Sequence, residues 1–246
     1  MKRFAVVSDI HANLPALEAV LSDIAARGIS HILCLGDLIG KGPSPAQVVD
    51  RVRETCDTVI RGNWDEAVTM NRGTPMWDFY RERLGESRLQ YLGGLPFAID
   101  LSMSGRKIRL FHASAISVHH RVQPWSSEEE RLGMFTHTTA TGGRAGDPAP
   151  DVVGYGDIHN VFLQHLSGHT LFNVGSVGNP LDITQASYAI LEGESGATEN
   201  GPFAIQFVRV PYDIERAIAD AQAVDMPQLK EYASELRTAR YRGLKN

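Results

Sequence analysis

Apolar and polar positions along the first 62 residues predict strands that alternate with helices. Short apolar runs at 4–7, 31–35 and 58–60 are typical of buried strands. Between these runs, apolar residues recur at helical spacing, first after the N-cap candidate Asn13 and again near residue 50. Strands that alternate with helices indicate βαβ units, and hence a parallel sheet that is covered on both faces.

The second half of the chain predicts antiparallel strands instead. The dipeptides Ser104-Gly105 and Ser167-Gly168 each separate two strand-like runs, which is a hairpin signal. The predicted strands are 97–103, 107–111, 161–166, 170–174, 187–191 and 203–210. Hairpins that follow βαβ units indicate an α/β protein with two sheets face to face and helices outside. No linker divides the chain, so we expect a single domain over 1–246.

Three further segments complete the pattern. Residues 72–91 and 212–240 are predicted to be helical. The span 113–150 has little periodicity and is rich in Gly, Pro, Thr and Ser, apart from a candidate helix near 127–136. A long loop of this kind inside a compact domain is usually functional or mobile, so we interpret 113–150 as a lid or loop insertion.

Composition limits the partners of the chain. The formal net charge of −5 is spread without blocks of one sign, which argues against stable nucleic-acid binding and against a membrane surface. A small anionic substrate remains compatible with it. The isolated cysteines Cys34 and Cys56 are expected to be reduced core residues, and no apolar segment is long enough for a signal or a span. We therefore expect a cytoplasmic protein; its oligomeric state is not predicted.

Side chains that bind metal ions follow five of the predicted strands, including a buried strand that ends at the apolar pair Val152-Val153. These residues are Asp9 and His11, Asp37, Asn63, His112, and Asp157 with His159. Taken alone, an aspartate after a strand is more often a helix cap, and a lone histidine is more often a core residue. Because ligands bind at the carboxyl ends of strands in α/β sheets, the full set indicates one shared site. Its oxygen and nitrogen donors suit divalent manganese, iron, cobalt or zinc.

The ordered motifs resemble those of a known family. Asp9-Ile10-His11, Gly36-Asp37, Gly62-Asn63, His112 and Gly156-Asp157-Ile158-His159 resemble the five signature blocks of the calcineurin-like metallophosphoesterases. Asn173-Val174-Gly175-Ser176 resembles the turn after the last block in the compact bacterial phosphodiesterase branch. The resemblance implies a four-layer αββα sandwich of two mixed sheets, with a two-metal site at the sheet ends.

The resemblance also implies a role for each residue. Asp9, His11, Asp37 and His159 hold the first metal ion. Asp37 bridges to the second ion, which Asn63 and His112 also bind. Asn63, Asp65 and His112 are the predicted catalytic residues, and the reaction is hydrolysis of a phosphate ester or phosphoanhydride by a water that the two metals activate.

The third block departs from the family pattern at Trp64. The family usually has histidine there, thought to act on the leaving group or transition state, and tryptophan cannot donate a titratable proton. Two interpretations stay open: the ring stacks on a base or aryl group of the substrate, or it packs under the following helix. Without that histidine, substrates with good leaving groups should react best.

The last block departs at Asp157, where the family has a histidine that binds the second metal. A carboxylate is a competent ligand but is shorter and charged, so the site should favour hard ions, manganese first, with iron, zinc, cobalt or nickel as alternatives. We expect Asp157 to bind the metal directly or through water. The alternative is that the carboxylate does not reach it.

The substrate follows less closely from the sequence. We expect a small phosphorylated compound of the phosphodiester or dinucleoside polyphosphate type, with Arg61, Trp64, Arg121 and Asn173 as candidate contacts and Arg144 as a further arginine. One alternative is a phosphatase or phosphodiesterase without nucleotide preference. The other is a metal-impaired binding or regulatory protein on the same fold.

Overall fold

The computed structural model describes residues 1–70, 73–143 and 146–243, and in these ranges the strands form two five-stranded sheets. The strands are β1 Lys2–Val7, β2 His31–Cys34, β3 Thr58–Val59, β4 Ala98–Met103, β5 Arg106–Phe111, β6 Val152–Tyr155, β7 Val161–Leu166, β8 His169–Val174, β9 Ala186–Gly193 and β10 Phe203–Val210. The helices are α1 Leu14–Ala26, α2 Pro45–Thr55, α3 Asn63–Thr69, α4 Pro75–Gly93, α5 Glu128–Gly133, α6 Ile214–Ala223 and α7 Leu229–Thr238.

The first sheet has the strand order β10-β9-β1-β2-β3. Strands β1, β2 and β3 run parallel, as the alternation of strands and helices predicts, whereas β9 and β10 are antiparallel additions. The carboxyl ends of β1, β2 and β3 therefore lie along one edge of this sheet.

The second sheet has the order β4-β5-β6-β8-β7, in which β5, β6 and β8 are parallel. Its two predicted hairpins are confirmed. Ser104 and Gly105 have φ of 49° and 72°, and Ser167 and Gly168 have φ of 49° and 87°, as a type I′ turn requires. Two mixed sheets with outer helices confirm the predicted α/β fold class.

Strand β1 shows how the core is divided. Ala5 and Val7 face the core between the first sheet and the helices, whereas Val6 faces the core between the two sheets. Each face of β1 is buried, which explains why its sequence is a continuous apolar run and does not alternate.

The irregular span after β5 packs against the second sheet. Tyr155 Oη donates to the carbonyl of Val122 at 2.7 Å, and the rings of Phe135 and His169 lie 4.7 Å apart. The span's helix is shorter than predicted, Glu128–Gly133. Whether this segment acts as a lid stays a prediction.

Two helix predictions need correction. The helix predicted at 72–91 is α4, which begins at Pro75 and bends at Gly85, where φ is 67°. The single helix predicted at 212–240 is in fact α6 and α7. Pro227 disfavours helix for the residue before it and cannot donate a backbone hydrogen bond, so the predicted helix is interrupted there.

Two smaller expectations concern cysteines and the membrane. Cys34 and Cys56 are free thiols, as predicted. Across the described ranges, every helix is too short or too polar to cross a bilayer.

Candidate metal centre

The strand ends of both sheets bring the predicted metal ligands together. They are Asp9 and His11 after β1, Asp37 after β2, Asn63 at the start of α3, His112 after β5, and Asp157 and His159 after β6. All but Asn63 are buried, and Asn63 is half-buried.

The backbone at these positions is strained. Asp9, His11, Asp37, Asp157 and His159 have φ of 54°, 49°, 53°, 62° and 62°. Side chains other than glycine adopt this left-handed conformation at a cost of about 1–2 kcal/mol per residue. Strain of this kind clusters at functional sites, where the surrounding structure holds it in place.

Two glycines allow the loops to approach each other closely. A Cβ on Gly62 would lie 2.2 Å from both the backbone nitrogen and Oδ1 of Asp37. A Cβ on Gly156 would lie 2.1 Å from Ser8 Oγ and 2.5 Å from Asp9 Oδ2. Any larger residue would push the carboxylates of the site apart.

Backbone carbonyls orient all three histidine rings. Nδ1 of His11 lies 3.1 Å from the carbonyl oxygen of Ile39, and Nδ1 of His112 lies 2.8 Å from that of Leu35. Nδ1 of His159 is hydrogen-bonded to the carbonyl of Asn179. Because a carbonyl only accepts, each Nδ1 carries a proton, and each ring turns its Nε2 toward the site. This is the arrangement that metal-binding histidines adopt.

The ligand atoms form two groups in which all atoms lie within 4.8 Å of one another: Asp9, His11 and His159 in one, and Asp9, Asp37 and His112 in the other. In the first, His159 Nε2 lies 3.1 Å from His11 Nε2 and 3.1 Å from Asp9 Oδ1. In the second, His112 Nε2 lies 3.5 Å from Asp37 Oδ1. Such spacings fit ligands that share an ion.

The site carries excess negative charge. Burial raises the pKa of Asp37 well above its ordinary value, and the carboxylates of Asp9 and Asp65 add to the rise. Burial lowers the pKa of His112, but Asp37, Asp9 and Asp157 outweigh burial and raise it to about 9. The rise at His112 reflects the negative charge of three carboxylates, and a cation would balance that charge.

Three buried polar atoms at the site have no hydrogen-bond partner among the described residues. They are Asp9 Oδ1, Asn63 Oδ1 and His112 Nε2. Buried polar atoms are nearly always paired, so an orphaned set demands an explanation. All three are metal-ligating atoms, so the residues present fit a bound divalent cation.

Asp157 belongs to neither group of ligands. Arg121 Nε donates to its Oδ2 at 2.7 Å and Arg121 Nη2 donates to its Oδ1 at 2.8 Å. Its Oδ1 lies 4.0 Å from His112 Nε2 and 3.4 Å from Asn63 Nδ2. Two ligands of one ion can be separated by at most about 4.2 Å. Asp157 is therefore close enough to His112 and Asn63 to share an ion with them while it is paired with Arg121. Direct ligation stays a prediction.

Asp65 and Asn173, predicted as a catalytic and a substrate-binding residue, both form hydrogen bonds to the backbone, and their predicted roles stay predictions. Asp65 accepts the backbone N–H groups of Asp37, Leu38 and Gly62 at 2.8, 3.0 and 3.0 Å. The amide of Asn173 donates to the carbonyl of Gly156 and accepts from the N–H of Gly175. Both are buried and fully engaged with backbone, so we interpret them as positioning residues.

The candidate arginines have different places. Arg121 lines the cavity beside the site. Arg61 lies 3.5 Å from the carboxylate of Glu66 and does not line that cavity. Arg144 lies outside the described residues.

The ring of Trp64 is packed and also borders the cavity. It lies 5.2 Å from the ring of Trp77, 6.4 Å from that of Tyr80 and 6.0 Å, edge to face, from that of His11. A Cβ on Gly40 would lie 2.3 Å from the indole. These contacts favour the packing interpretation over base stacking.

Several cavity residues were missed by the sequence analysis. The cavity, of about 590 Å³, is also lined by Lys41, Trp125 and the C-terminal residues Arg240 to Arg242. Lys41 follows Asp37 by four residues in a glycine-rich loop, and this spacing could have indicated from the sequence that Lys41 lies near the site. For the C-terminal residues no local signal exists, because only the fold brings them to the site.

The family comparison agrees with this geometry. The profile of the calcineurin-like phosphoesterase superfamily domain matches residues 1–196. This range contains every proposed metal ligand.

Related sequences divide into long and short matches. The chain is 31% identical over 243 residues to an uncharacterised protein of Methanocaldococcus jannaschii, covering 87% of this chain and 89% of that protein. A stretch of 78 residues is 38% identical to the phosphodiesterase YfcE of Escherichia coli, covering 28% of this chain and 42% of that protein.

Known structures extend the likeness beyond residue 196. A metallophosphoesterase from Sphaerobacter thermophilus is 26% identical with a TM-score of 0.73, covering 97% of this chain and 99% of that one. A hypothetical protein from Pyrococcus horikoshii has a TM-score of 0.76 at 18% identity and covers both chains fully, which speaks to the fold alone.

Replacing Asp65 tests its positioning role. Asp65→Ala should lower the free energy of unfolding by about 3 kcal/mol or more, because three backbone donors lose their acceptor and each unsatisfied buried donor costs about 1–3 kcal/mol. Asp65→Asn keeps one acceptor oxygen, so its free energy of unfolding should lie between those of Asp65→Ala and the parent protein. Urea unfolding in the presence of a chelator measures both. Normal stability combined with lost turnover would instead assign Asp65 to the reaction.

Replacing Trp64 separates packing from stacking. Trp64→Ala should destabilise the protein by about 2–3 kcal/mol, less than a fully buried tryptophan, since the ring is half-buried. Its kcat/KM should change by the same factor for a dinucleotide and for a simple aryl phosphodiester. A loss confined to the dinucleotide would restore the stacking interpretation.

Proposed function

The chain belongs to the calcineurin-like phosphoesterase superfamily, and from that premise we propose that it hydrolyses a phosphodiester or a phosphoanhydride of the dinucleoside polyphosphate type. It is a metallophosphoesterase, and its family depends on a dinuclear metal site. The nature of the substrate is the part that we propose.

The observation that carries the proposal is the orientation of His11, His112 and His159. Their Nε2 atoms are directed to one buried region by carbonyls on the opposite side of each ring. The carboxylates of Asp9 and Asp37 lie in the same region. Burying these groups without a cation would be unfavourable, so the arrangement supports a metal-dependent reaction.

We assign two metal positions to these residues. Asp9, His11, Asp37 and His159 would hold the first, and Asp37, Asn63, His112 and Asp157 would hold the second. Divalent ions bound there supply an activated water and neutralise the charge of the phosphoryl group. The third carboxylate, Asp157, favours a hard ion such as manganese.

The remaining residues of the chain bind and orient. Arg121, held by Asp157, presents a fixed guanidinium beside the cavity, a geometry suited to phosphoryl oxygens. Trp64 cannot protonate a leaving group, so the enzyme should prefer leaving groups that depart without a proton, such as nucleotides released from an anhydride or aryl oxides released from a diester.

One observation favours each alternative. The packed ring of Trp64 weakens the argument for a nucleotide and favours a phosphatase or phosphodiesterase without nucleotide preference. The ion pair between Arg121 and Asp157 favours a metal-impaired protein. Metal content separates the second alternative from both enzymes.

The direct test is a panel of phosphate compounds assayed with added Mn²⁺, with a chelator as control. Diadenosine tetraphosphate, bis(p-nitrophenyl) phosphate and p-nitrophenyl phosphate distinguish anhydride, diester and monoester chemistry. We expect the anhydride and the aryl diester to be hydrolysed faster than the monoester. Absence of metal-dependent turnover on all three would contradict the proposal.

Asp37 is the decisive residue for a two-metal site. Asp37→Ala should remove turnover and reduce bound metal at both positions, because in the proposed site one carboxylate would hold both ions. Elemental analysis of metal per chain and a bis(p-nitrophenyl) phosphate assay measure this. Asp220→Ala, on the surface of α6, is the matched control and should change neither. Near-normal activity of Asp37→Ala would overturn the two-metal proposal.

Asp157 tests the second position alone. If it is a ligand, Asp157→Ala should lower the metal stoichiometry toward one ion per chain and leave the first position filled. Arg121→Ala should keep both ions, because it removes only the partner of the carboxylate. Equal, full stoichiometry in the two variants would show that Asp157 serves to anchor Arg121 and does not bind metal.

A further inference from the structure

A positively charged wall borders the same cavity beside the proposed metal centre. It is formed by Lys41, in the loop after β2, and by the segment around α7, from Gln228 to Arg242. This segment follows residue 196, where the match to the family domain ends. A cavity of about 590 Å³ has room for a ligand larger than one phosphate group.

Lys41 is a cation without a paired anion. Its Nζ donates to Asn179 Oδ1 at 2.6 Å, and none of the described carboxylates lies within ion-pair distance of it. An ammonium group has three donors, so two remain for a ligand. Burial lowers the pKa of Lys41 to about 8, which reflects a desolvation penalty that an anion in the cavity would relieve.

The nearest acidic group in this network is already neutralised. Glu235 Oε2 accepts a hydrogen bond from Asn179 Nδ2 at 3.2 Å. Its carboxylate also accepts Nε and Nη2 of Arg242 at 2.9 and 2.7 Å. The pair formed by Glu235 and Arg242 fixes the C-terminal segment against α7, so Glu235 acts on Lys41 only from a distance and leaves its ammonium group without a contacting anion.

Arg240 adds a second available cation. Ala239 ends α7 in the left-handed conformation, with φ of 52°, and so turns the chain back along the cavity. Arg240 lines the cavity, is exposed, and has no hydrogen bond or ion pair with any residue that the structure describes. Arg121 and Arg242 also line the cavity, but each already forms a two-point ion pair.

We propose that Lys41 and Arg240 form a subsite for a second phosphoryl group of the substrate, adjacent to the group that is hydrolysed. Lys41 binds a phosphoryl oxygen from the buried side and Arg240 binds from the rim, with Asn179 holding Lys41 in place. The inference rests on the proposed function and narrows it to substrates that carry two or more phosphoryl groups, such as a phosphoanhydride. A diester with a single phosphoryl group would leave the subsite empty.

The kinetic test compares two substrates. Lys41→Met should lower kcat/KM for diadenosine tetraphosphate by about tenfold or more, the size of one charge-assisted hydrogen bond, mainly by raising KM. With bis(p-nitrophenyl) phosphate it should change kcat/KM less than about twofold, within the range of a neutral substitution. Lys230→Met, the same substitution on the exposed surface of α7, should change neither. Equal losses on both substrates, or no loss on either, would overturn the subsite.

A binding test does not depend on turnover. With Mn²⁺ present, methylenediphosphonate, which is not hydrolysed, should raise the melting temperature of the parent protein more than the same concentration of inorganic phosphate does, since only the diphosphonate can reach the metal centre and the subsite together and ligands of the native state stabilise it. This difference should be lost in Lys41→Met and reduced in Arg240→Gln. Arg240 is exposed, so its replacement should not disturb folding even if Lys41→Met does. An unchanged difference in Arg240→Gln and Lys41→Met would contradict the subsite.

The two proposals fail in different ways. If the parent protein hydrolyses none of the phosphate compounds but binds methylenediphosphonate through Lys41, the proposed function is wrong and the anion subsite stands. If it hydrolyses bis(p-nitrophenyl) phosphate and Lys41→Met alters neither substrate discrimination nor binding, the enzyme stands and the subsite is wrong.

Discussion

The site depends on three backbone carbonyls that accept the Nδ1 protons of His11, His112 and His159. These contacts fix the orientation of the rings and aim their Nε2 atoms at the buried carboxylates. The carbonyl that holds His112 belongs to Leu35 at the end of β2, so it joins the two sheets. The carbonyl that holds His159 belongs to Asn179, which lies beyond β8. The ligand set can therefore form only when both sheets are docked.

This arrangement concentrates unfavourable terms in a small volume. Five ligand positions lie in the left-handed region, at about 1–2 kcal/mol each, and three of the side chains are buried carboxylates. The loops tolerate this because they are fixed elsewhere: Asp65 accepts three backbone N–H groups, and the apolar cores on both faces of β1 hold the strand ends in register. The rigid packing of the sheets therefore holds the strained backbone of the site in place. A bound cation would offset the remaining repulsion between the buried carboxylates.

The sequence predicted what is local or periodic. Apolar runs, hairpin dipeptides and ligand types at strand ends led to the correct fold class and to one shared site. Contacts between distant segments could not be predicted, since no periodicity encodes them: Arg121 on Asp157, Trp64 between Trp77 and His11, and the C-terminal wall are of this kind. The break between α6 and α7 was predictable, because Pro227 marks it and was overlooked.

The departures from the family pattern share a physical feature. At Asp157 the new carboxylate is matched by Arg121 from the irregular span, and at Trp64 the new ring is matched by Trp77 from α4. Each change at a strand end is accommodated by a segment that lies outside the signature motifs. The strand ends of this fold set the metal chemistry, whereas the segments that surround them set the shape and charge of the cavity. Selectivity for a substrate should accordingly be sought in 113–150 and in the C-terminal segment, where the cavity gains its arginines and exposed aromatic rings.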